Sequence, residues 1–225
     1  VLMSSEGISG PVRRPDPAAL AALADAFDLT TVCFLRRQDI FAESLWNQRC
    51  KEGKEGGGIE TFVNSAKMAL HMDYLSMLDL WASVGRVVAV GFETARRDGV
   101  AETFGAAAGI SLTSAPRDRN VSLSMVGAAY MAVLNRLSIG FDWLPLEAAV
   151  AARHADDPVL LKRRALGRQL RSELLKRFAH SSATLAARYG VTFPADLPDE
   201  PDEPIALPPE AEARKLATAK RRRGR

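Results

Sequence analysis

Thr30-Thr31-Val32-Cys33-Phe34-Leu35, running straight into Arg36-Arg37-Gln38-Asp39-Ile40-Phe41-Ala42-Glu43-Ser44-Leu45-Trp46-Asn47-Gln48, is the stretch whose reading decides the fold. Its first six residues are apolar or β-branched, the composition of a buried strand. After the charged seam, apolar residues recur at Ile40, Phe41, Leu45 and, less regularly, Trp46, which predicts an amphipathic helix. Arg36 then ends the strand, at the edge of an open α/β sheet where ligands collect and where helix N-termini and loop amides favour anions. Ser44 follows eight residues later, about two helical turns on. A guanidinium fork and a hydroxyl so spaced can flank one phosphate. The same residues also fit a plainer description, with Arg36 and Arg37 a solvated pair after a core strand and Ser44 a surface serine.

Outward from this stretch the pattern alternates. Val1-Leu2-Met3 is strand-like, Ser4-Ser5-Glu6-Gly7 reads as the loop at its end, and Asp16 is placed to cap a helix that has Pro17 at its first position. That helix covers 18–27, so strand, helix and strand follow one another as a βαβ unit, which argues for parallel pairing. Downstream, the helix over 39–50 leads to Lys51-Glu52-Gly53-Lys54-Glu55-Gly56-Gly57-Gly58. These glycines follow a helix and lack the Gly-Lys-Ser/Thr ending of a phosphate-binding P-loop, so they read as a flexible surface loop.

Short helices are expected over 59–67 and 71–83, the second with Met72, Leu75, Leu78 and Trp81 facing inward. Arg86 to Glu93 is a further strand, and its continuous apolar character suits a sheet covered on both faces. A helix over 98–108 stops at Gly109, a suitable residue to end it. Arg117, Arg119 and Asn120 lie in a polar loop over 111–121, before a helix over 123–137 that Ser122 or Ser124 can cap. Beyond it only helices are expected, over 146–155 and 158–189. The basic face of the last, through Lys162, Arg163, Arg164, Arg168, Arg171, Lys176 and Arg177, reads as solvated.

From Phe193 the composition turns acidic and proline-rich, then basic from Arg214 to Arg225. The expected organisation is an α/β domain over 1–190, helical from about residue 122, followed by a linker and solubilising tail over 191–225 that is extended or disordered. The length of 225 residues suits one domain or two small ones, and 47% hydrophobic with 25% charged residues is the composition of an ordinary globular protein. A net charge of +3 does not by itself imply nucleic acid. Cys33 and Cys50 form no disulfide framework, and His71, His154 and His180 are too scattered for a zinc site, so no metal is expected. Reduced thiols point to the cytoplasm. No apolar run approaches the ~20 residues that cross a bilayer, and no charged-then-apolar leader opens the sequence.

A strand, an arginine and a serine at the eighth position resemble the 3′-phosphate-binding segment of sulfotransferases that use 3′-phosphoadenosine-5′-phosphosulfate (PAPS). The wording Leu35-Arg36-Arg37-Gln38-Asp39, then Glu43-Ser44-Leu45-Trp46, is similar to a bacterial branch of sulfotransferase-like proteins. Val1 to Glu6, Asp73-Tyr74-Leu75 with Trp81, the strand from Arg86 to Glu93, and Arg119-Asn120-Val121-Ser122-Leu123-Ser124 fall in that branch's order, over roughly residues 1 to 140. The branch carries an arginine two residues before the glutamate of the later strand, where this sequence has Gly91.

The resemblance implies an α/β, three-layer parallel-sheet, P-loop-like fold, N-terminally incomplete, with a helix-rich C-terminal half. It implies sulfuryl transfer from PAPS to a hydroxyl acceptor such as a carbohydrate, with no metal. Arg36 and Ser44 would hold the 3′-phosphate, Arg119 and Asn120 would line the donor or acceptor side, and Glu6 would be the base. Glu6 also fits a residue that caps a loop amide. The family's glycine-lysine-threonine-rich 5′-phosphosulfate loop is expected upstream of Val1; without it the chain would bind PAPS poorly and catalyse little. A missing central strand would leave a sheet edge open to a second copy, as in a homodimer. The alternative is a non-catalytic helical accessory protein that contacts nucleic acid or a partner through its basic tail, although no groove-reading signature is present.

Overall fold

The computed structural model describes residues 2, 16–112, 122–194 and 202–221. The strand expected over 1–3 and the candidate residues Glu6, Arg117, Arg119 and Asn120 lie outside the described residues. In chain order the elements are α1 (Pro17–Ala26), β1 (Thr30–Leu35), α2 (Gln38–Lys51), α3 (Ile59–Val63), α4 (Ala66–Met72), α5 (Tyr74–Ala82), β2 (Arg86–Gly91), α6 (Phe92–Asp98) and α7 (Val100–Ala108). They continue with α8 (Met125–Arg136), α9 (Trp143–Arg153), α10 (Pro158–Lys162), α11 (Arg168–Arg177), α12 (Ala179–Tyr189) and α13 (Glu210–Arg221). The protein is therefore mixed α/β and mostly helical, with a parallel two-stranded sheet among the described residues. It divides into two compact units, and the chain passes from the first to the second between Arg37 and Gln38.

The first unit holds the sheet. β1 and β2 pair in parallel, from Thr30 opposite Arg86 to Leu35 opposite Gly91. Leu35, Tyr74, Leu78 and Leu185 form its core, with Cys33, Val87, Ala89 and Tyr189 packed against them, so α5 and α12 supply the apolar cover. Asp16 caps α1 by accepting from the Ala18 amide at 3.0 Å, and Asp73 caps α5 by accepting from Ser76 at 3.2 Å. α7 ends at Gly109, whose left-handed φ of 70° carries no penalty without a Cβ. Both strands were expected to be buried throughout. Only Leu35 is; the other strand residues are half-buried, except the exposed Thr30 and Arg86 that open the two strands. Two strands alone, among the described residues, leave each with one unpaired edge.

The second unit is helical. α2 packs on α8, and α8 packs on α9, α10 and α13. Trp46, Cys50, Ile59, Val63, Leu134, Leu146, Val150, Leu166 and Leu174 are fully buried there, and each such side chain stabilises the fold by about 1.5–3 kcal/mol through loss of apolar surface to water. α8 begins at Ser124, whose hydroxyl accepts from the Gly127 amide at 2.9 Å. α9 starts three residues earlier than expected because Asp142 caps it and a first-turn proline, Pro145, is tolerated where no amide partner is needed.

Two expectations are corrected here. The single helix over 158–189 is three helices. Its first break, at 163–167, has backbone partners elsewhere: the Leu166 amide donates to Glu43 Oε1 at 2.8 Å, and the Ala165 carbonyl accepts from Ile205 at 2.8 Å. The tail, expected to be extended, carries α13, with Ile205, Ala213 and Ala217 buried. An alanine-bearing stripe at helical spacing gave α13 an apolar side that composition alone concealed.

Candidate functional site

Parallel register builds the site in the first unit. Leu35 stands opposite Gly91 at the carboxyl ends of β1 and β2, so the next residues, Arg36 and Phe92, emerge side by side. The Arg36 guanidinium lies 4.1 Å from the Phe92 ring centroid, and its Nε is 3.5 Å from Oε1 of Glu93. Stacking on an aromatic face and pairing with a carboxylate both hold a planar guanidinium in place. The backbone around it is fixed as well: the Arg36 carbonyl accepts from the Tyr74 hydroxyl at 2.8 Å, and Arg37 Nη1 donates to the Pro194 carbonyl at 2.5 Å. Arg37 is thus buried against this unit's own backbone, whereas a solvated partner of Arg36 was the plainer expectation.

Arg36 keeps about a quarter of its side-chain surface exposed, and Glu93 slightly more. At 3.5 Å the pair is an ion pair beyond ordinary hydrogen-bond length. The second Glu93 oxygen, Oε2, is buried and has no donor among the described residues. Gly91 has an ordinary φ of −67°, and a Cβ there would make ordinary contact with the Thr192 carbonyl oxygen at 3.5 Å. Nothing in the backbone explains glycine at this position.

In the second unit the same sequence run does different work. The buried stripe of α2 is Asp39, Ala42, Glu43, Trp46, Asn47 and Cys50, so the predicted apolar face at Ile40, Phe41 and Leu45 is only half-buried and charged residues take its place. Arg171 from α11, 1% exposed, pairs with Asp39 and with Glu43 Oε1, the latter at 3.0 Å. Arg164 pairs with the other Glu43 oxygen. Asn47 Nδ2 donates to the Leu123 carbonyl at 2.9 Å. Arg171 and Arg164 were expected on a solvated basic face; they are instead the countercharges that make a buried Asp39 and Glu43 tolerable. Ser44, on the opposite side of α2 from this stripe, is exposed.

The glycine-rich loop is tied down rather than flexible. Asn135 Nδ2 donates to the Cys50 and Glu55 carbonyls at 2.8 Å, and Trp46 Nε1 donates to the Gly57 carbonyl at 3.1 Å. Glu55 Oε1 accepts from the Gly56 and Gly57 amides at 2.9 and 2.7 Å. Those two amides are thereby taken by the loop's own carboxylate.

Burial pushes the Cys33 thiol up to about 11 and, aided by the charge of Glu55, raises that of Cys50 further. Neither behaves as an activated nucleophile. Tyr130 is raised to about 12 by burial and by its hydrogen bond to Glu212, which that bond and Arg153 hold below the usual carboxylate range. Among the described residues, no group of three or more histidine, cysteine, aspartate or glutamate side chains is arranged to hold a metal ion, and no helix is long and apolar enough to cross a membrane.

Compared with protein-family models, with curated proteins and with solved structures, the chain finds no match. Of the predicted site residues that are described, Arg36 belongs to the first unit and Ser44 to the second. Phe92 and Glu93 were missed as site residues. The signal was available: a parallel strand ending in step with β1 must deliver its next two residues beside Arg36.

Proposed function

We propose that the protein is a sulfotransferase-like α/β protein of the P-loop type that binds the 3′-phosphate of PAPS at Arg36 and serves sulfuryl transfer to a hydroxyl acceptor such as a carbohydrate. The observation that carries this reading is the partly open Arg36 at the carboxyl edge of a parallel strand pair, stacked on Phe92 and backed by Glu93. An arginine held by a ring face and a loose ion pair presents a fixed positive charge without the cost of being sealed, which suits a dianionic phosphate.

In the reaction the acceptor oxygen forms a bond to sulfur as the bond from sulfur to the bridging oxygen of the 5′-phosphosulfate breaks. The electron pair leaves on adenosine 3′,5′-bisphosphate, and the acceptor proton passes to a base, the role the resemblance gives Glu6. Arg119 and Asn120 would line the donor or acceptor side, and a cytoplasmic setting belongs to the same reading. Positioning and charge neutralisation carry most of such a transfer, by analogy with phosphoryl chemistry.

Calorimetric titration with adenosine 3′,5′-bisphosphate tests the reading. The parent chain is expected to bind saturably, and Arg36→Ala to lose about tenfold or more of the affinity, the size of a charge-assisted hydrogen bond. Ser44→Ala reads the smaller share that the resemblance assigns to the helix hydroxyl. Equal affinities in all three proteins would end the proposal.

A second reading has one observation in its favour: α13 is docked through Ala213 and Ala217 and leaves Arg214 and Lys215 exposed. A basic helix held in this way suits an accessory role towards an anionic partner. Reversing both charges, Arg214→Glu with Lys215→Glu, abolishes such binding while sparing nucleotide binding; loss of neither refutes this reading.

A further inference from the structure

We infer that the loop over 163–167, between α10 and α11, is a docking surface for a non-helical acidic peptide segment, occupied in cis by residues 202–205 and open to a partner chain when that segment lifts away. The surface lies wholly in the second unit and is independent of the nucleotide site at Arg36.

The segment seated on the loop shows what the loop recognises. The Ile205 amide donates to the Ala165 carbonyl at 2.8 Å, and Arg163 Nη2 donates to the Glu203 carbonyl. Arg168, the first residue of α11, holds its Nε 3.7 Å from Oδ1 of Asp202. Gly167 is the seat. A Cβ there would run into the Asp202 carbonyl oxygen, the Glu203 carbonyl carbon and, at 2.6 Å, the Pro204 nitrogen, so the two backbones meet where a side chain would stand. Ile205 is buried beside them. The loop therefore offers a carbonyl acceptor, two guanidinium groups, a glycine that admits a backbone, and a socket for one apolar side chain. These are the groups that read an acidic residue shortly before an apolar one.

The attachment of the segment is of the kind that opens locally, since it buries few apolar groups. The Arg168–Asp202 pair keeps 56% and 82% of its side-chain surfaces exposed, and such a pair adds little stability. Among the described residues of 202–221, Ile205 is the one large apolar side chain that is buried; α13 docks through Ala213 and Ala217, which bury little area each. The ion pairs of Glu210 with Arg136 and of Glu212 with Arg153 are partly exposed as well. A tethered segment is present at an effective concentration of about millimolar order. A partner segment therefore displaces it by binding more tightly or by entering once the arm has lifted.

The test is fluorescence anisotropy with a labelled peptide, Asp202-Glu203-Pro204-Ile205-Ala206-Leu207-Pro208-Pro209, added to the full chain and to variants whose fold is followed by circular dichroism. Ile205→Asp puts a charge into the apolar socket and lifts the arm while leaving the loop intact. It is expected to bind the peptide saturably, about tenfold or more tighter than the parent, whose own segment competes. Adding Gly167→Ala closes the seat and should abolish that gain. A peptide carrying D202N and E203Q should bind Ile205→Asp about threefold more weakly, a difference that fades at high salt. Hydrogen exchange in the parent is the second measurement: the Ile205 amide and those of α13 should exchange together, about tenfold or more faster than those of α8. The inference is overturned if Ile205→Asp does not bind the peptide, if binding survives Gly167→Ala, or if the neutral peptide binds equally well. It is equally overturned if α13 exchanges as slowly as α8, or if Ile205→Asp loses its helical signal, because the arm is then part of the core.

Discussion

Two arginine–carboxylate groupings grow from one short run of sequence, and they differ in a single physical respect. In the second unit Asp39 and Glu43 are sealed against Arg171, all three at 1% exposure or less. In the first unit Arg36 and Glu93 form a looser pair with about a quarter of each side chain open. In the sealed group Glu43 pairs with Arg171 and Arg164 and accepts from the Leu166 amide. In the open pair the ion-pair distance is 3.5 Å, and Oε2 of Glu93 has no donor among the described residues. Charge density in a motif therefore says little about ligand binding until burial is known. Where the charges are sealed, the cluster fixes how helices pack; where they stay partly open, a ligand can reach them.

The strongest way to break this comparison is Arg171→Ala. Removing the arginine takes the buried countercharge from Asp39 and one of two from Glu43, and a loss of about 3–5 kcal/mol is expected, read from the midpoint of urea unfolding. A change under about 1 kcal/mol would mean that water reaches the cluster and that it is no more sealed than the Arg36 pair. Raising the salt concentration should leave this loss nearly unchanged, because buried charges are poorly screened.

A smaller effect sharpens the other side. Cys33 lies in β1, three residues before Arg36, and burial raises its thiol from 9 to about 11. The folded state thus holds this proton more tightly than the unfolded chain does. Its contribution to stability is fully present below pH 9 and is lost as pH rises towards about 11, a difference of about 2–3 kcal/mol between parent and Cys33→Ala across that window. Parallel curves for the two proteins from pH 8 to pH 11 would show that water already reaches this strand from the open edge.

The smallest effect on stability belongs to Arg36→Ala. Its partly exposed ion pair with Glu93 is worth about 1 kcal/mol or less. A much larger loss would move Arg36 into the same class as Arg171 and remove the distinction drawn between them.

How much of this was legible beforehand varied with the kind of signal. β1, α1 with its Asp16–Pro17 start, α7 with its Gly109 stop and α8 with its Ser124 cap follow from local chemistry, since propensity and capping are decided within a few residues. The burial of α2 was misread because its inward stripe is Asp39, Glu43 and Asn47, whose partners are more than 75 residues away in sequence. Periodicity measures apolar spacing and is blind to a charged stripe neutralised from afar. The same distance effect broke the helix expected over 158–189, where Glu43 and Ile205 claim backbone groups. The place of Arg36 just past the end of β1 was legible from the strand pattern alone. Glu93 needed the register of a second strand, which sequence spacing does not give.

The most direct test of the claim that Arg36 holds a nucleotide phosphate is the ¹⁵N spectrum of the arginine Nε–H groups during titration with adenosine 3′,5′-bisphosphate. The Arg36 resonance, assigned by its loss in Arg36→Lys, should shift saturably with the bisphosphate and stay in place with adenosine. A titration in which the Arg36 signal does not move, or in which the only moving signal persists in Arg36→Lys, would contradict the account.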